Sequence, residues 1–386
     1  MKKSLIGLAV LAAAGAASAQ STVTMSGIVK GGLAQTRWTN GPVAAFNGSN
    51  TAIAEGSSRV IISGREDLGG GLAAVFQNET RWRVDDNGPA PTSSPLATGN
   101  TFIGLAGRFG QLRLGKLDTH YCLGSDEHGS RATSLQASSC ALLGHVGGVG
   151  SPVANASRSV NAIRYDLPGS IMTGLTGSVT YSTGFTGNDG NIGTAGDGRA
   201  ISAALGYAAG PLALGASIWN GRAEDRTVFP RADQQAWTLH GSWNFGIAKV
   251  GLTYDRSTYE RFAAAGAAGV DDERSVWSIP VTVGVGAGTV LFTYTRASSV
   301  ERGGANIAGS GARLWSIGYD HALSKRTSVG VSYANLNNGA AATYQLYTSN
   351  SLVNLPSVAP GGAGGVAAGL PGTDQRMFYV GFRHTF

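Results

Sequence analysis

The last ten residues of the chain, 377–386, alternate between two kinds of side chain and end on an aromatic residue. Phe378, Val380, Phe382 and Phe386 fall on one face of an extended strand, and polar or small residues fall on the other. Hydrophobic residues make up 42% of the chain, yet no apolar run reaches the 18 residues that a membrane helix needs. In lipid, the other way to satisfy the backbone is a closed sheet, so this ending predicts the final strand of an outer-membrane β-barrel.

The first nineteen residues have the pattern of an export signal. Lys2 and Lys3 supply positive charge, residues 5–14 are apolar, and Ala17-Ser18-Ala19 offers a small-residue cleavage site. A first membrane helix is the alternative, which the shortness of the apolar stretch disfavours. We therefore expect a cleaved signal peptide at 1–19 and one barrel domain at 20–386.

Short turns and long loops alternate along the rest of the chain. Seven short turns are predicted at 67–71, 108–110, 168–170, 209–211, 244–246, 286–288 and 322–325. Eight longer loops are predicted near 39–55, 84–99, 118–157, 184–197, 222–232, 260–271, 300–310 and 339–373. They separate sixteen strands, and an even number places both termini on the periplasmic side. The fold class is thus an all-β, sixteen-stranded antiparallel transmembrane barrel; a soluble β-sandwich would alternate too, but has trouble with so many strands.

Segments spread over the whole chain resemble the general porins of beta-proteobacterial outer membranes. The resemblance is carried by residues 21–29, 58–72, 109–116, 322–327 and 380–386. It implies a trimeric barrel that forms a passive, water-filled diffusion channel in a Gram-negative outer membrane. It also implies that the long third loop, about 117–157, folds back into the lumen. Arg59 and Arg158 match constriction positions of anion-selective relatives, whereas an arginine that some relatives carry near Gly99 or Asn100 is missing here.

Strand parity predicts which basic side chains face the lumen. Val60 and Ile62 suit lipid, so the arginines that alternate with them point inward. An unpaired arginine facing lipid at mid-depth would cost about 2–4 kcal/mol, which favours inward placement. The predicted constriction set is Arg59, Arg65, Arg81, Arg83, Arg113, Arg158 and Arg164.

Acidic residues of the third loop are expected to face those arginines. They are Asp118, Asp126 and Glu127, near Arg131. Such a separation of charge creates a transverse field across the pore. Because the basic groups outnumber the acids, we expect anion selectivity; the alternative is that several arginines are solvated rim charges with little effect.

The chain has two cysteines, Cys122 and Cys140, both in the third loop. In an exported chain an intraloop disulfide is the leading interpretation, and it would stabilise the loop by about 3 kcal/mol. A zinc site with His120, His128 and His145 is the alternative, although no typical ligand spacing occurs.

No catalytic motif is found, and no cofactor or bound metal is expected. The glycines at 69–71 precede a strand instead of a helix, which predicts a hairpin turn and not a phosphate loop. The basic residues are dispersed over strands, which argues against nucleic-acid binding. The expected partners are small hydrophilic solutes and anions, outer-membrane lipid and lipopolysaccharide, and further copies of the chain. Alternatives are a substrate-specific channel for organic anions or phosphate, an outer-membrane enzyme, or an adhesin barrel.

Overall fold

The computed structural model describes residues 22–41, 47–55, 58–82, 84, 96–119, 128–143, 158–184, 199–223, 232–262, 269–346 and 371–386. The proposed signal peptide and most of the long loops lie outside these ranges. Among the described residues, no helix is both long and apolar enough to cross a membrane. Their helical content is two single-turn 3-10 helices, Leu135–Ala137 and Ser139–Ala141.

The described residues form sixteen barrel strands in chain order. They are β1 (Thr22–Thr39), β2a (Gly48–Glu55) with its continuation β2b (Ser58–Gly69), β3 (Leu72–Trp82), β4 (Thr101–Gly107), β5 (Gly110–Asp118), β6 (Arg158–Asp166), β7 (Leu175–Ser182), β8 (Arg199–Ala209), β9 (Leu212–Ala223), β10 (Ala232–Asn244), β11 (Ala248–Phe262), β12 (Gly269–Val285), β13 (Gly288–Ala297), β14 (Ala312–Ala322), β15 (Thr327–Asn338) and β16 (Asp374–Thr385). A short hairpin, Glu301–Arg302 with Ala305–Asn306, extends the sheet beside β12.

Every strand pairs antiparallel with its neighbours in sequence, and the sheet closes on itself. The closing pair is β1 with β16, in register from Ile28 opposite Thr385 to Thr39 opposite Asp374. The chain end extends this seam, because Gly27 N donates to Phe386 O at 3.0 Å and Phe386 N donates to Gly27 O at 3.2 Å. Closure removes every sheet edge, as lipid requires. The predicted barrel and its final sealing strand are confirmed.

The two faces of each strand are chemically distinct. On β16, Phe378, Val380 and Phe382 are exposed on the outer surface, whereas Met377 and Tyr379 are buried inside. The outer face also carries aromatic pairs on neighbouring strands, each with ring centroids 5.3 Å apart: Trp237–Tyr254, Trp277–Tyr294 and Trp315–Tyr333. An outer apolar band flanked by aromatic residues is typical of a transmembrane barrel.

All seven predicted short turns join consecutive strands in the structure. Gly69, Gly70 and Gly71 have φ of 86°, 62° and 81°, a left-handed conformation that glycine adopts without strain, and they connect β2b to β3. This segment is a hairpin turn, as expected.

Three predicted loops contain strand instead. One of them, near 260–271, is half strand, because β11 and β12 pair as far as Phe262 opposite Gly269. The stretch near 39–55 was expected to be a loop, but residues 48–55 form β2a, paired with β1 from Trp38 opposite Gly48 to Gly31 opposite Glu55. Its polar and alanine-rich sequence lacks clear alternation, and the pairing with β1 decides its conformation. Likewise, the loop near 300–310 contains the short hairpin at 301–306.

Candidate functional site

Six of the predicted arginines lie on the inner face of one continuous wall, β2b to β6. Arg59 is directly opposite Arg81 across β2b and β3, and Arg113 is directly opposite Arg164 across β5 and β6. The residues flanking Arg113, Leu112 and Leu114, are exposed on the outer surface. Arg65 and Arg158 complete the set, and Arg83 lies outside the described residues.

The arginines are not at a single depth. Arg59 and Arg65 are six residues apart on β2b, which separates them by about 20 Å along the strand. Arg65 pairs with the first described residue of β1, Thr22, near the end of the barrel that carries the short turns. Hence the wall presents a ladder of positive groups, and Arg65 does not share a narrow ring with Arg59.

At the upper level of this ladder, Glu79 is held beside Arg81. Arg81 Nε donates to Glu79 Oε1 at 2.6 Å, and the backbone N–H of Asn100 donates to the other oxygen at 3.2 Å. Gly99 leaves the space that this carboxylate fills, since a Cβ there would overlap the Glu79 side chain. The carboxylate is therefore fixed on the same wall as the arginine.

Asp118 also belongs to this wall, which corrects its predicted place. It was expected among the loop acids that face the arginines, but it is the last residue of β5. Arg158 Nη2 lies 2.8 Å from its Oδ1, and Asn100 Nδ2 donates to its Oδ2 at 2.5 Å. Because β5 and β6 are paired at this point, Asp118 neutralises a neighbouring arginine instead of opposing it across the pore.

The lower level contains an acid that sequence reasoning missed. Asp166, at the end of β6, accepts from Arg113 Nε at 2.9 Å and from Arg164 Nε at 2.8 Å. Arg164 also donates to the backbone oxygen of Asp118 at 2.7 Å, which links the two levels. The sequence did offer a signal for Asp166: it lies two residues after Arg164 and therefore shares its face of the strand. Three carboxylates thus stand among six arginines, and the excess positive charge faces the lumen.

The described part of the third loop, residues 128–143, packs against the inner face of the opposite wall. Its residues are almost all buried, and Leu142 and Leu143 join an apolar cluster with Leu314, Leu336 and Met377. The alanines of this wall, Ala34, Ala297, Ala312 and Ala334, belong to the same cluster. The path of the remainder of the loop, including Asp126 and Glu127, lies outside the described residues.

Polar contacts fix this segment at its first residues. Lys30 Nζ donates to His128 O at 2.9 Å, Ala132 N donates to Asp320 Oδ1 at 2.9 Å, and Ser134 N donates to Ser332 Oγ at 3.1 Å. Arg131 adds an ion pair with Asp320 at 3.7 Å. The segment is thereby tied to β1, β14 and β15.

Two inward-facing glycines make room for the segment. A Cβ on Gly330 would lie 2.7 Å from the backbone carbon of Ala132 and 2.8 Å from the backbone nitrogen of Thr133. A Cβ on Gly318 would lie 2.9 Å from Thr133 Cγ2. The loop backbone therefore rests directly on the strand backbone, which a larger residue would prevent.

His128 is fully buried in this contact. Its Nδ1 lies 3.0 Å from Thr133 Oγ1 and its Nε2 lies 3.2 Å from Ser316 Oγ. Burial, with help from the positive charges of Lys30 and Arg131, lowers the pKa of His128 to about 3. Since both ring nitrogens are engaged, the described geometry does not support the zinc alternative at His128; His120, His145 and Cys122 lie outside the described residues.

Cys140 is buried and disulfide-bonded. Its predicted partner Cys122 lies outside the described residues, so the pairing of these two cysteines remains our proposal. A bond from Cys140 would secure the loop just before Leu142 and Leu143.

Comparisons with known proteins agree with this geometry. A family model described as Gram-negative porin matches residues 7–341. The chain is 32% identical to outer membrane porin protein 32 of Delftia acidovorans over 400 positions, covering 100% of both chains. It is 29% identical to an outer membrane porin protein of Bordetella pertussis, covering 85% of this chain and 92% of the relative.

Solved structures give the same fold. An anion-selective porin from Comamonas acidovorans superposes with a TM-score of 0.68 at 26% identity, covering 95% of this chain and 100% of that one. The trimer form of OmpT, an outer membrane protein of Vibrio cholerae, superposes with a TM-score of 0.62, covering 95% and 99%. At 15% identity the second likeness shows the fold alone.

Proposed function

The chain belongs to the Gram-negative porin family, and we propose that its channel admits anions in preference to cations. It is an outer-membrane porin of a Gram-negative bacterium, and its barrel lets small hydrophilic solutes cross by passive diffusion. The anion preference rests on one observation: the excess of arginines over carboxylates on the inner face of β2b–β6.

The size of the preference follows from elementary electrostatics. Arginine stays protonated at every working pH, so these charges are permanent. One unit charge about 8 Å from a passing ion contributes about 0.25 kcal/mol in water with screening at about 0.1 M salt. It raises the partition of an anion about 1.5-fold and lowers that of a cation about 1.5-fold, so the anion-to-cation ratio changes about twofold for each charge. Since Glu79, Asp118 and Asp166 offset part of the charge, we propose a moderate preference and not absolute exclusion of cations.

Reversal potentials across a planar bilayer with a salt gradient test the proposal. The wild-type channel should give the sign expected for an anion-selective pore. The double variant Arg59→Gln/Arg81→Gln should lower the anion-to-cation permeability ratio about fourfold, because two positive groups leave the lumen. Arg256→Gln is the matched control: Arg256 lies on the outer face, where it pairs with Glu273, and its loss should leave the ratio unchanged. A cation-selective wild-type channel would refute the proposed preference.

A narrower proposal is a channel specific for organic anions or phosphate. Guanidinium groups match carboxylate and phosphate geometry, and the ladder offers them at successive depths. Conductance that saturates with such an anion, and is blocked by it, would support this alternative; linear ion flow would contradict it. Both outcomes leave the passive channel intact.

Two finer points of assembly and activity belong to the same proposal. We propose a homotrimer with lipid and lipopolysaccharide around it, as the resemblance to the general porins implies. We also propose that the chain has no catalytic activity beside its channel function. Mass measurement of the unheated protein in detergent tests the trimer, and a monomeric, conducting protein would contradict it.

A further inference from the structure

A cavity of about 630 Å³ opens at the periplasmic end of the arginine wall. Three neighbouring short turns and the strand ends beside them line it, and these turns join β2b to β3, β4 to β5 and β6 to β7. A volume of this size suits a small organic molecule and exceeds what one inorganic ion fills. Because the short turns lie on the periplasmic side, the cavity is the last part of the lumen that an entering solute meets.

Small side chains form the floor of this cavity. The inward row that runs from β3 to β5 is Ala73, Ala106 and Gln111, in register, and both alanines are buried. Three glycines of the adjoining turns and strand ends also line the cavity: Gly71, Gly107 and Gly110. Two strands therefore pass beneath the cavity without a large side chain. The long side chains of β2b and β5 stand three strand spacings apart, about 14 Å.

The turn between β6 and β7 forms a fixed side wall. It contains eight residues, 167–174, whereas each of the other short turns contains two to four. Ile171 N donates to Pro168 O at 3.2 Å within the turn. Pro168 packs on Gly110, where a Cβ would lie 3.1 Å from Pro168 Cδ. The turn is thus held against β5, and its Ser170 lines the cavity.

Two arginines at the edge of the cavity carry charge that no carboxylate offsets. Arg65 and Arg108 are both exposed, and both line the cavity. Among the residues that the structure describes, neither arginine has an ion pair or a side-chain hydrogen bond. Asp166 also lines the cavity, but Arg113 and Arg164 already engage its two oxygens. The cavity therefore offers two available guanidinium groups and no available carboxylate.

The positions of these two arginines suit an anion with two charged ends. Arg65 projects from β2b, and Arg108 lies in the turn after β4, two strands further along the sheet. Arg108 extends toward the neighbouring turn, since a Cβ on Gly71 would lie 3.9 Å from its Nε. Gln111 and Ser170 add neutral hydrogen-bonding groups to the lining. Each guanidinium group can donate two parallel hydrogen bonds to a carboxylate.

We propose that this periplasmic cavity binds a small organic dianion of the dicarboxylate class. One carboxylate lies at Arg65, the other lies at Arg108, and the carbon chain lies over the alanine floor. The volume disfavours inorganic phosphate, and the two separate cations disfavour an anion with one charge. The inference rests on the proposed function in one respect, that anions enter the lumen. It adds a saturable site that is separate from the level of Arg59 and Arg81.

Isothermal titration calorimetry of the whole protein in detergent, at low salt and about pH 7.5, tests the site. The probe is succinate, whose two carboxylates are both ionised at that pH. Wild-type protein should bind succinate, and butyrate, which has the same chain length but one carboxylate, should bind at least about tenfold more weakly. Arg65→Gln/Arg108→Gln should weaken succinate binding at least about tenfold, because both carboxylates lose their partners.

Lys325→Gln/Arg326→Gln is the matched control. It also removes two exposed positive charges from the short-turn end of the barrel, but from the turn between β14 and β15, outside the cavity. Screening limits the reach of these charges, so succinate affinity should change less than about twofold. An equal loss of affinity in this control and in Arg65→Gln/Arg108→Gln would overturn the cavity as the site.

Ala106→Leu tests the cavity without changing any charge. The larger side chain fills the floor, and succinate affinity should fall at least about tenfold. Circular dichroism verifies the β-sheet of each variant. If the glutamine pair fails to fold, Ala106→Leu decides, and unaltered succinate affinity in that variant would overturn the proposal.

The remaining outcomes separate this site from the proposed anion preference. Equal affinity for succinate and butyrate, or tighter binding of inorganic phosphate than of succinate, would overturn a dicarboxylate site. An anion-selective channel that binds no succinate would refute the cavity proposal alone. A channel that binds succinate but gives cation-selective reversal potentials would refute the anion preference alone.

Discussion

The two walls of the lumen differ in the side chains that they turn inward. The wall of β2b–β6 carries arginines and the acids that partly neutralise them, whereas the wall of β12–β16 and β1 carries apolar and small side chains where the loop packs on it. Alanines and glycines there leave space that residues 128–143 fill. The charged wall is open to solutes and the small-residue wall is covered by the loop.

This difference shows how one closed sheet can define an off-centre pore. Large charged side chains on an inward face hold water and set a field. Small side chains opposite them allow a loop to pack on backbone, which narrows the passage from one side. The position of the opening is thus decided by side-chain size, and its ion preference by charge.

Acid should have the largest effect, because it releases residues 128–143 from the wall on which they pack. The folded pKa of His128 is about 3 against an ordinary value of 6.5, so between these values a released His128 binds a proton that the docked one rejects. Docking is therefore fully stable above pH 6.5 and loses about 1.4 kcal/mol for each unit below it. At pH 4 the loss is about 3 kcal/mol, and we expect larger current fluctuations in single-channel records.

The control for acid release is His128→Asn, which keeps a hydrogen-bonding side chain but cannot titrate between pH 3 and 7. Its fluctuations should change little over the range in which those of the wild type rise. If both proteins respond alike, then groups other than His128 cause the acid response.

Gly330→Val should destabilise the packing of residues 128–143 on their wall, but less than acid does. The new side chain collides with the backbone of Ala132 and Thr133, and overpacking of this kind costs about 2 kcal/mol. We expect the loop to move from the wall, with a change in single-channel conductance and faster hydrogen exchange in residues 128–143.

Gly284→Ala is the matched control on the same sheet. A Cβ on Gly284 has one neighbour within 4 Å, Ile247 O at 3.8 Å, so it fits without displacement. Conductance equal to that of the wild type in Gly330→Val would show that the loop tolerates the collision.

The face of each strand was predictable from sequence because a sheet imposes a period of two. This rule correctly placed Phe378 outside and Tyr379 inside. It failed for β2a, where residues 48–55 carry no apolar alternation and only the hydrogen bonds to β1 specify a strand. The rule depends on the alternation of apolar and polar side chains, so it gives no prediction where the side chains are small and do not alternate.

The site was less predictable than the fold. Parity gave the inward arginines, but partner choice depends on strand register, which sequence does not show; hence Asp118 was placed across the pore and Asp166 was missed. The docking of Thr133 on Gly318 and Gly330 joins residues almost 200 positions apart. Glycine in a strand gives no sign of what approaches it.

Asp166→Asn should increase the net positive charge on the wall of β2b–β6. It removes the carboxylate that Arg113 and Arg164 share, so their positive charge acts fully on the lumen. We expect the anion-to-cation permeability ratio to rise about twofold, as one unit charge predicts. Reversal potentials measure this, and Glu273→Gln, which removes one acid from the outer face, should give no rise. A fall in the ratio would mean that the two arginines turn away once Asp166 is lost.

Salt should have the smallest effect, because it screens the electric field of the arginine wall without moving a residue. The Debye length falls from about 10 Å at 0.1 M to about 3 Å at 1 M ionic strength. Charges on the wall then act on ions only at close range, and the permeability ratio should approach one. The loop contacts, which are buried, are screened far less, so conductance fluctuations should not rise with salt. A ratio independent of salt would place the selective groups in direct contact with each passing ion, in a ring narrower than the spread arginine ladder forms.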